Sequence, residues 1–95
     1  MKENYIIKNN RIISRLIDGK MVILDSEGKT LYILNEIGTK IWELCDGSNR
    51  IKDIVSKLCH EYDIEKDIAK KDVLDFVNQL LQADLLFASK DSGQE

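Results

Sequence analysis

The sequence predicts an α+β domain with a three-stranded antiparallel sheet followed by three α-helices. Three observations carry this. The first half holds short β-branched runs separated by glycine turns, and the second half holds apolar residues at helical spacing. The chain has 95 residues, the length of one domain. Hydrophobic residues make up 43% and charged residues 33%, which suits a globular chain and not a disordered one.

Residues 1–10 are set apart as an N-terminal segment, and whether it packs on the sheet, pairs with a neighbour or stays mobile is open at this point; Tyr5-Ile6-Ile7 is apolar enough to dock. The domain proper is expected over residues 11–88. Its first strand falls in Arg11 to Ile17. Asp18-Gly19 then separates it from Met21-Val22-Ile23-Leu24, and an Asp-Gly pair between two such runs is a hairpin signal because glycine tolerates positive φ. Ser26-Glu27-Gly28-Lys29 makes a second turn, and Thr30-Leu31-Tyr32-Ile33-Leu34 makes the third strand. Sequential strands with short turns give a meander.

Asn35 is placed to cap the first helix, whose apolar set is Ile37, Ile41, Trp42 and Leu44. Asp46-Gly47 ends it. Ser48 or Asn49 caps the second, which carries Ile51, Ile54, Val55 and Leu58. The third runs from about Ala69 to Ala83, with Val73, Phe76, Val77, Leu80 and Leu81 as an amphipathic stripe. Leu85-Leu86-Phe87-Ala88 leaves it as an extended apolar segment, and Ser89 to Glu95 is a polar tail.

Several functions are excluded or disfavoured. No stretch approaches the roughly 18 apolar residues of a membrane span. Lys8 and Arg11 break any signal-peptide core. Cys45 and Cys59 make no disulfide framework, so the cytoplasm is the expected compartment. Cys59-His60 are adjacent and point about 100° apart on a helix, which suits neither a zinc site nor a thiol–base pair. Glu61 and Asp63 follow directly, whereas a reactive thiol needs electropositive surroundings. Gly19, Gly28, Gly38, Gly47 and Gly93 are scattered and form no phosphate loop. Neither a catalytic residue nor a metal ligand nor a cofactor is expected.

Nucleic acid is the alternative to weigh, because three helices beside a small sheet form a winged helix-turn-helix-like shape. A recognition helix presents Arg, Lys, Asn or Gln to base edges. The third helix offers Lys70, Lys71, Asn78, Gln79 and Gln82 but also Asp72 and Asp75, and the second is equally mixed. With a net charge of −3, this reads as a solvated surface. Trp42 and Phe76 sit in apolar stripes and read as core. Which side chains of the third strand face outward stays open.

A three-stranded sheet has two edges, and an edge offers unpaired N–H and C=O groups. The third strand is apolar at nearly every position, so nothing in its side chains discourages another strand from pairing there. Asp18 to Leu86, about 70 residues, also resembles a known family. The ordered set is Asp-Gly, an apolar strand, an acidic-Gly turn, Leu34-Asn35, Ile41-Trp42-Glu43-Leu44, Asp46-Gly47, an Ile/Val helix, and Asp72-Val73 with Phe76 and Leu80. It is similar to the PqqD-like family, the peptide chaperones known as RiPP recognition elements. Two stretches depart from the family pattern. Glu36-Ile37-Gly38 stands where a small residue, commonly Ala, soon follows the Leu-Asn, and Ala83-Asp84 stands where a Gly commonly precedes the closing leucines.

The resemblance implies a winged-helix-like fold that binds the leader of a ribosomally made precursor peptide. The leader would add as a strand along the third strand, with the third helix as the other wall. It implies Thr30, Leu31, Tyr32, Ile33 and Leu34 from the strand as peptide-binding residues. From the helix it implies Lys70, Val73, Phe76, Val77 and Leu80, some of them core, with Lys71 and Asn78 at a rim for polar or acidic leader residues. It further implies a separate partner, a radical SAM enzyme or, in lasso-peptide pathways, a leader protease. A winged helix-turn-helix DNA-binding regulator is the alternative.

Overall fold

Over residues 4–90, which the computed structural model describes, the elements follow in the order β1 (Tyr5–Lys8), β2 (Ile13–Ile17), β3 (Lys20–Leu24), β4 (Leu31–Ile33), α1 (Glu36–Leu44), β5 (Asp46–Arg50), α2 (Ile51–Tyr62), α3 (Lys66–Gln82) and β6 (Leu86–Ser89). The expected meander is present as an antiparallel sheet ordered β2-β3-β4. Asp18 and Gly19 turn its first hairpin with φ of 51° and 79°, the left-handed pair that matches strand twist. In the second turn the Asp25 carboxylate accepts the N–H groups of Lys29 at 2.8 Å and Thr30 at 3.2 Å.

A second sheet, ordered β5-β1-β6, was not foreseen. Of the three choices open for the N-terminal segment, Tyr5–Lys8 takes pairing in a sheet. β1 is the central strand there, antiparallel to both neighbours, and Ile6 is fully buried. The apolar run after the third helix becomes β6, paired with β1 from Tyr5↔Ser89 to Lys8↔Leu86. Residues 1–3 and 91–95, including most of the expected polar tail, lie outside the described residues.

The α1 cap forms as read: the Asn35 side-chain oxygen accepts the Gly38 N–H at 2.8 Å. The α2 cap does not. Asp46–Arg50 is spent on β5, so the N-cap is Arg50, whose N–H donates to the Asp53 carboxylate at 2.9 Å. Asn49 instead donates to the last α1 carbonyl, Leu44, at 2.9 Å and accepts from the Lys57 ammonium at 2.7 Å. α3 begins at Lys66, one turn earlier than its buried stripe, because its first turn is solvent-exposed.

Trp42, Ile6, Ile23, Ile41, Ile54, Leu58, Leu85 and Leu86 meet in one core between the helices and both sheets. Thr39 ties α1 to the first sheet: its hydroxyl oxygen accepts the Met21 N–H at 2.9 Å and the hydroxyl donates to the Leu34 carbonyl at 3.4 Å. β2 stays outside the core, with Ile13, Leu16 and Ile17 each more than half exposed. It pairs with β3, whose Met21 and Ile23 are in the core.

Candidate functional site

β4 is the edge of its sheet, and its register settles the open parity. Ile23 lies opposite Tyr32, Val22 opposite Ile33, and Leu24 opposite Leu31. Residues directly opposite share a face. Ile23 is fully buried, so Tyr32 faces the core and is half-buried, while Leu31 and Ile33 face outward at 58% and 65% exposure.

The same register aims the backbone. The Leu34 N–H donates to the Met21 carbonyl at 2.9 Å, and the Thr30 carbonyl accepts the Asp25 N–H at 3.1 Å. Hydrogen bonding alternates along an antiparallel pair. Thr30, Tyr32 and Leu34 therefore turn their peptide groups toward β3. Leu31 and Ile33 turn theirs to the open edge.

Beside that edge lies a groove of about 500 Å³, lined by Ile33, Leu34, Asn35, Ile37, Gly38, Ile41, Asp72, Asp75, Phe76 and Gln79. One wall is the β4–α1 junction and the other is α3. Phe76 is half-buried and lines it, a place in the groove and not in the sealed core. Gly38 sets the approach of the two walls. A Cβ there would lie 3.2 Å from the Phe76 ring, 3.3 Å from the Asn35 side-chain oxygen and 3.4 Å from Leu34 Cβ.

Among the expected site residues, Leu31, Ile33 and Leu34 lie on the edge or in the groove, with Thr30 and Tyr32 behind them as the inner rungs. Val73 and Val77 are fully buried and Leu80 is 3% exposed. They belong to the core and present no surface to a peptide, which corrects their assignment. Lys70 is exposed but sits two residues before Asp72, about 160° around the helix, on the opposite flank of the buried seam. It does not line the groove either. Asn35, Ile37, Gly38, Ile41, Asp72, Asp75 and Gln79 do and were not assigned. Asp72, Phe76 and Gln79 share the i, i+4, i+7 spacing that marks one helix face, a signal that Phe76 alone could have supplied.

Residues 20–86 match the family of coenzyme PQQ synthesis protein D (PqqD). The chain belongs to the PqqD family. Two solved structures share its fold. One is TbiB1 in complex with the TbiA(beta) leader peptide, 29% identical, covering 84% of this chain and 93% of that one with a TM-score of 0.76. The other is a lasso peptide synthetase B1 complexed with the leader peptide, 25% identical, covering 87% and 98% with a TM-score of 0.74. Among proteins of curated function, none matches.

The geometry explains what the PqqD sequence pattern does here. In Leu34-Asn35, the first residue closes the β4 ladder through its N–H and the second caps α1. Gly38 supplies the small residue expected soon after them. Asp84 supplies the missing glycine: its φ is 60°, and the bonds Asp84 N–H to Leu81 at 3.1 Å and Leu85 N–H to Leu80 at 2.9 Å close the helix in a Schellman motif.

Two cations of the α2 region are engaged within the protein: Lys57 donates to Asn49 at 2.7 Å, and the Arg50 guanidinium donates to the Tyr5 hydroxyl at 2.9 Å. Lys40 of α1 pairs with Glu61 at 3.1 Å. Among the described residues no group of three or more His, Cys, Asp or Glu could hold a metal ion. Burial pushes the Cys45 thiol up to about 12, with Lys8 opposing and Asp46 adding to the shift. Its sulfur donates to the Ile41 carbonyl at 3.2 Å, an arrangement that makes it inert.

Proposed function

We propose that this protein is a free-standing chaperone that binds the leader of a ribosomally synthesised precursor peptide and presents it to a separate modifying enzyme. The leader adds as a strand to β4, and it makes and breaks no covalent bond there. The observation that carries this reading is the open β4 edge, whose Leu31 and Ile33 peptide groups point outward beside a groove of mixed apolar and polar lining. Strand addition supplies affinity through main-chain hydrogen bonds and specificity through pockets for alternate side chains. Both structural relatives are in complex with a leader peptide, which supports a leader as the ligand.

Ordering a disordered leader costs entropy, so micromolar affinity, about −8 kcal/mol, is expected. Holding the leader raises the concentration of the attached core peptide at the enzyme. The enzyme is a radical SAM protein or, in a lasso-peptide pathway, a leader protease, and the lasso peptide synthetase B1 relative favours the second. The work is done in the cytoplasm.

Calorimetry tests this with the synthetic leader of a small open reading frame beside the gene. Ile33→Pro removes an outward N–H and fits poorly between paired strands. It is expected to abolish binding while helical circular dichroism is retained. Unchanged affinity in a folded Ile33→Pro protein would reject strand addition at β4.

A further inference from the structure

The charge at the groove is opposite in sign to what the α3 sequence suggests. α3 carries Lys66, Lys70 and Lys71 before Asp72 and Asp75, and a basic rim for acidic peptide residues is the natural reading. The fold turns the helix so that Asp72 and Asp75 line the groove with Phe76 and Gln79, and no lysine does. Both carboxylates are exposed. The ion pairs among the described residues are Lys29–Glu27 and Lys40–Glu61, so neither aspartate has an internal counter-charge in contact. Lys71 is one turn from Asp75, outside the lining.

Asp72 and Asp75 are three residues apart and share a face. They stand at the lip of an apolar floor made by the half-buried Ile37 and Phe76. A strand lying between β4 and α3 sends alternate side chains toward this wall. An acidic side chain there meets two like charges. A basic one gains two partners at no cost of breaking existing pairs, and its aliphatic stem covers the apolar floor.

We propose that the peptide accepted by this groove carries a Lys or Arg facing Asp72 and Asp75, next to a large apolar side chain seated on Ile37 and Phe76. The inference rests on the peptide-binding reading and adds the chemistry of the ligand to it. Charge at a partly exposed rim acts chiefly on selectivity. Asp72→Asn with Asp75→Asn is therefore expected to weaken the preferred peptide by roughly threefold to tenfold, and high salt to erode the difference.

The test is selection from a random-peptide display library on three full-length proteins: the unmodified chain, the double variant Asp72→Lys/Asp75→Lys, and Ile33→Pro. Both aspartates are exposed on a helix, so lysines there leave the fold intact, and thermal melting checks it. The unmodified chain is expected to enrich Lys or Arg at a fixed offset from a large apolar residue. The double variant is expected to enrich Asp or Glu at that same offset. A consensus without a cation, or one identical on the unmodified chain and the double variant, overturns the charge assignment and leaves strand addition standing. Absence of any consensus beyond that of Ile33→Pro overturns the peptide reading itself, and this inference with it.

Discussion

Asp84 holds a φ of 60° at the end of α3, a conformation that costs an L-residue roughly 1–2 kcal/mol, less for Asp than for most. Asp84→Gly is therefore expected to stabilise the protein by about 0.5–1 kcal/mol. That should raise the melting temperature by roughly 2–8 °C for a domain of this size, and calorimetry or thermal circular dichroism would read it. The sequence showed a departure at this position but not its resolution, because a backbone angle leaves no trace in composition. The cysteines give a second test. Cys45 is buried with its thiol pushed up to about 12, while Cys59 is half-buried. Alkylation of the folded protein at neutral pH should label Cys59 in preference to Cys45. Replacing both with Ser should leave peptide binding intact, and loss of binding in a folded double variant would bring the thiols back into the mechanism.

Elements with local signals were legible. The β2–β3 hairpin announced itself through Asp18-Gly19, α1 through Asn35, and α3 through a stripe at helical spacing. Trp42 was read as core and is 1% exposed. Trp42→Ala should cost about 3–5 kcal/mol, seen as a shift in the denaturant midpoint; a stable Trp42→Ala protein that cannot bind would instead place this residue in the site. What was not legible is which face each element turns. The parity of β4 depends on its register with β3, and the burial of Val73, Val77 and Leu80 depends on what α3 packs against. A stripe of apolar residues marks a buried face but not where that face ends, so Phe76 at its edge joins the groove while its neighbours close the core.

At the scale of the whole molecule, the second sheet was invisible because its pairing is entirely long-range. β1 meets β5 from the middle of the sequence and β6 from its far end, with no hairpin turn to signal either pairing. β5 is Asp-Gly-Ser-Asn-Arg, of which Asp, Gly and Asn are depleted in strands, and tertiary context overrides that preference. The result is a fold closed by its own ends, with a radius of gyration of 12.7 Å. Ile6 lies at the centre of the closure, so Ile6→Ala should destabilise by about 2–5 kcal/mol; a denaturant melt that does not move would mean that the N-terminal strand is dispensable. Acid stability follows from three carboxylates held below their ordinary values. Backbone hydrogen bonds, led by Lys29, lower Asp25; Ser48 overcomes the effect of burial at Asp46; and the Lys40 ammonium lowers Glu61. Each contributes stability that is complete above the unfolded values of 3.8 for Asp and 4.5 for Glu and is lost as pH falls through the lower folded values. A melting temperature that is level down to that range and drops below it is the expected profile.

Addition of a peptide to the open edge of β4 can be read amide by amide, through hydrogen exchange followed by NMR with and without the synthetic leader. New protection is expected at the Leu31 and Ile33 amides, which face the open edge, and little change at Tyr32 and Leu34, which already point to β3. Chemical-shift changes should extend to Gly38 and Phe76 across the groove. Protection confined to β2, or a response only to a DNA duplex centred on α2 and α3 and lost in salt, would contradict strand addition at β4.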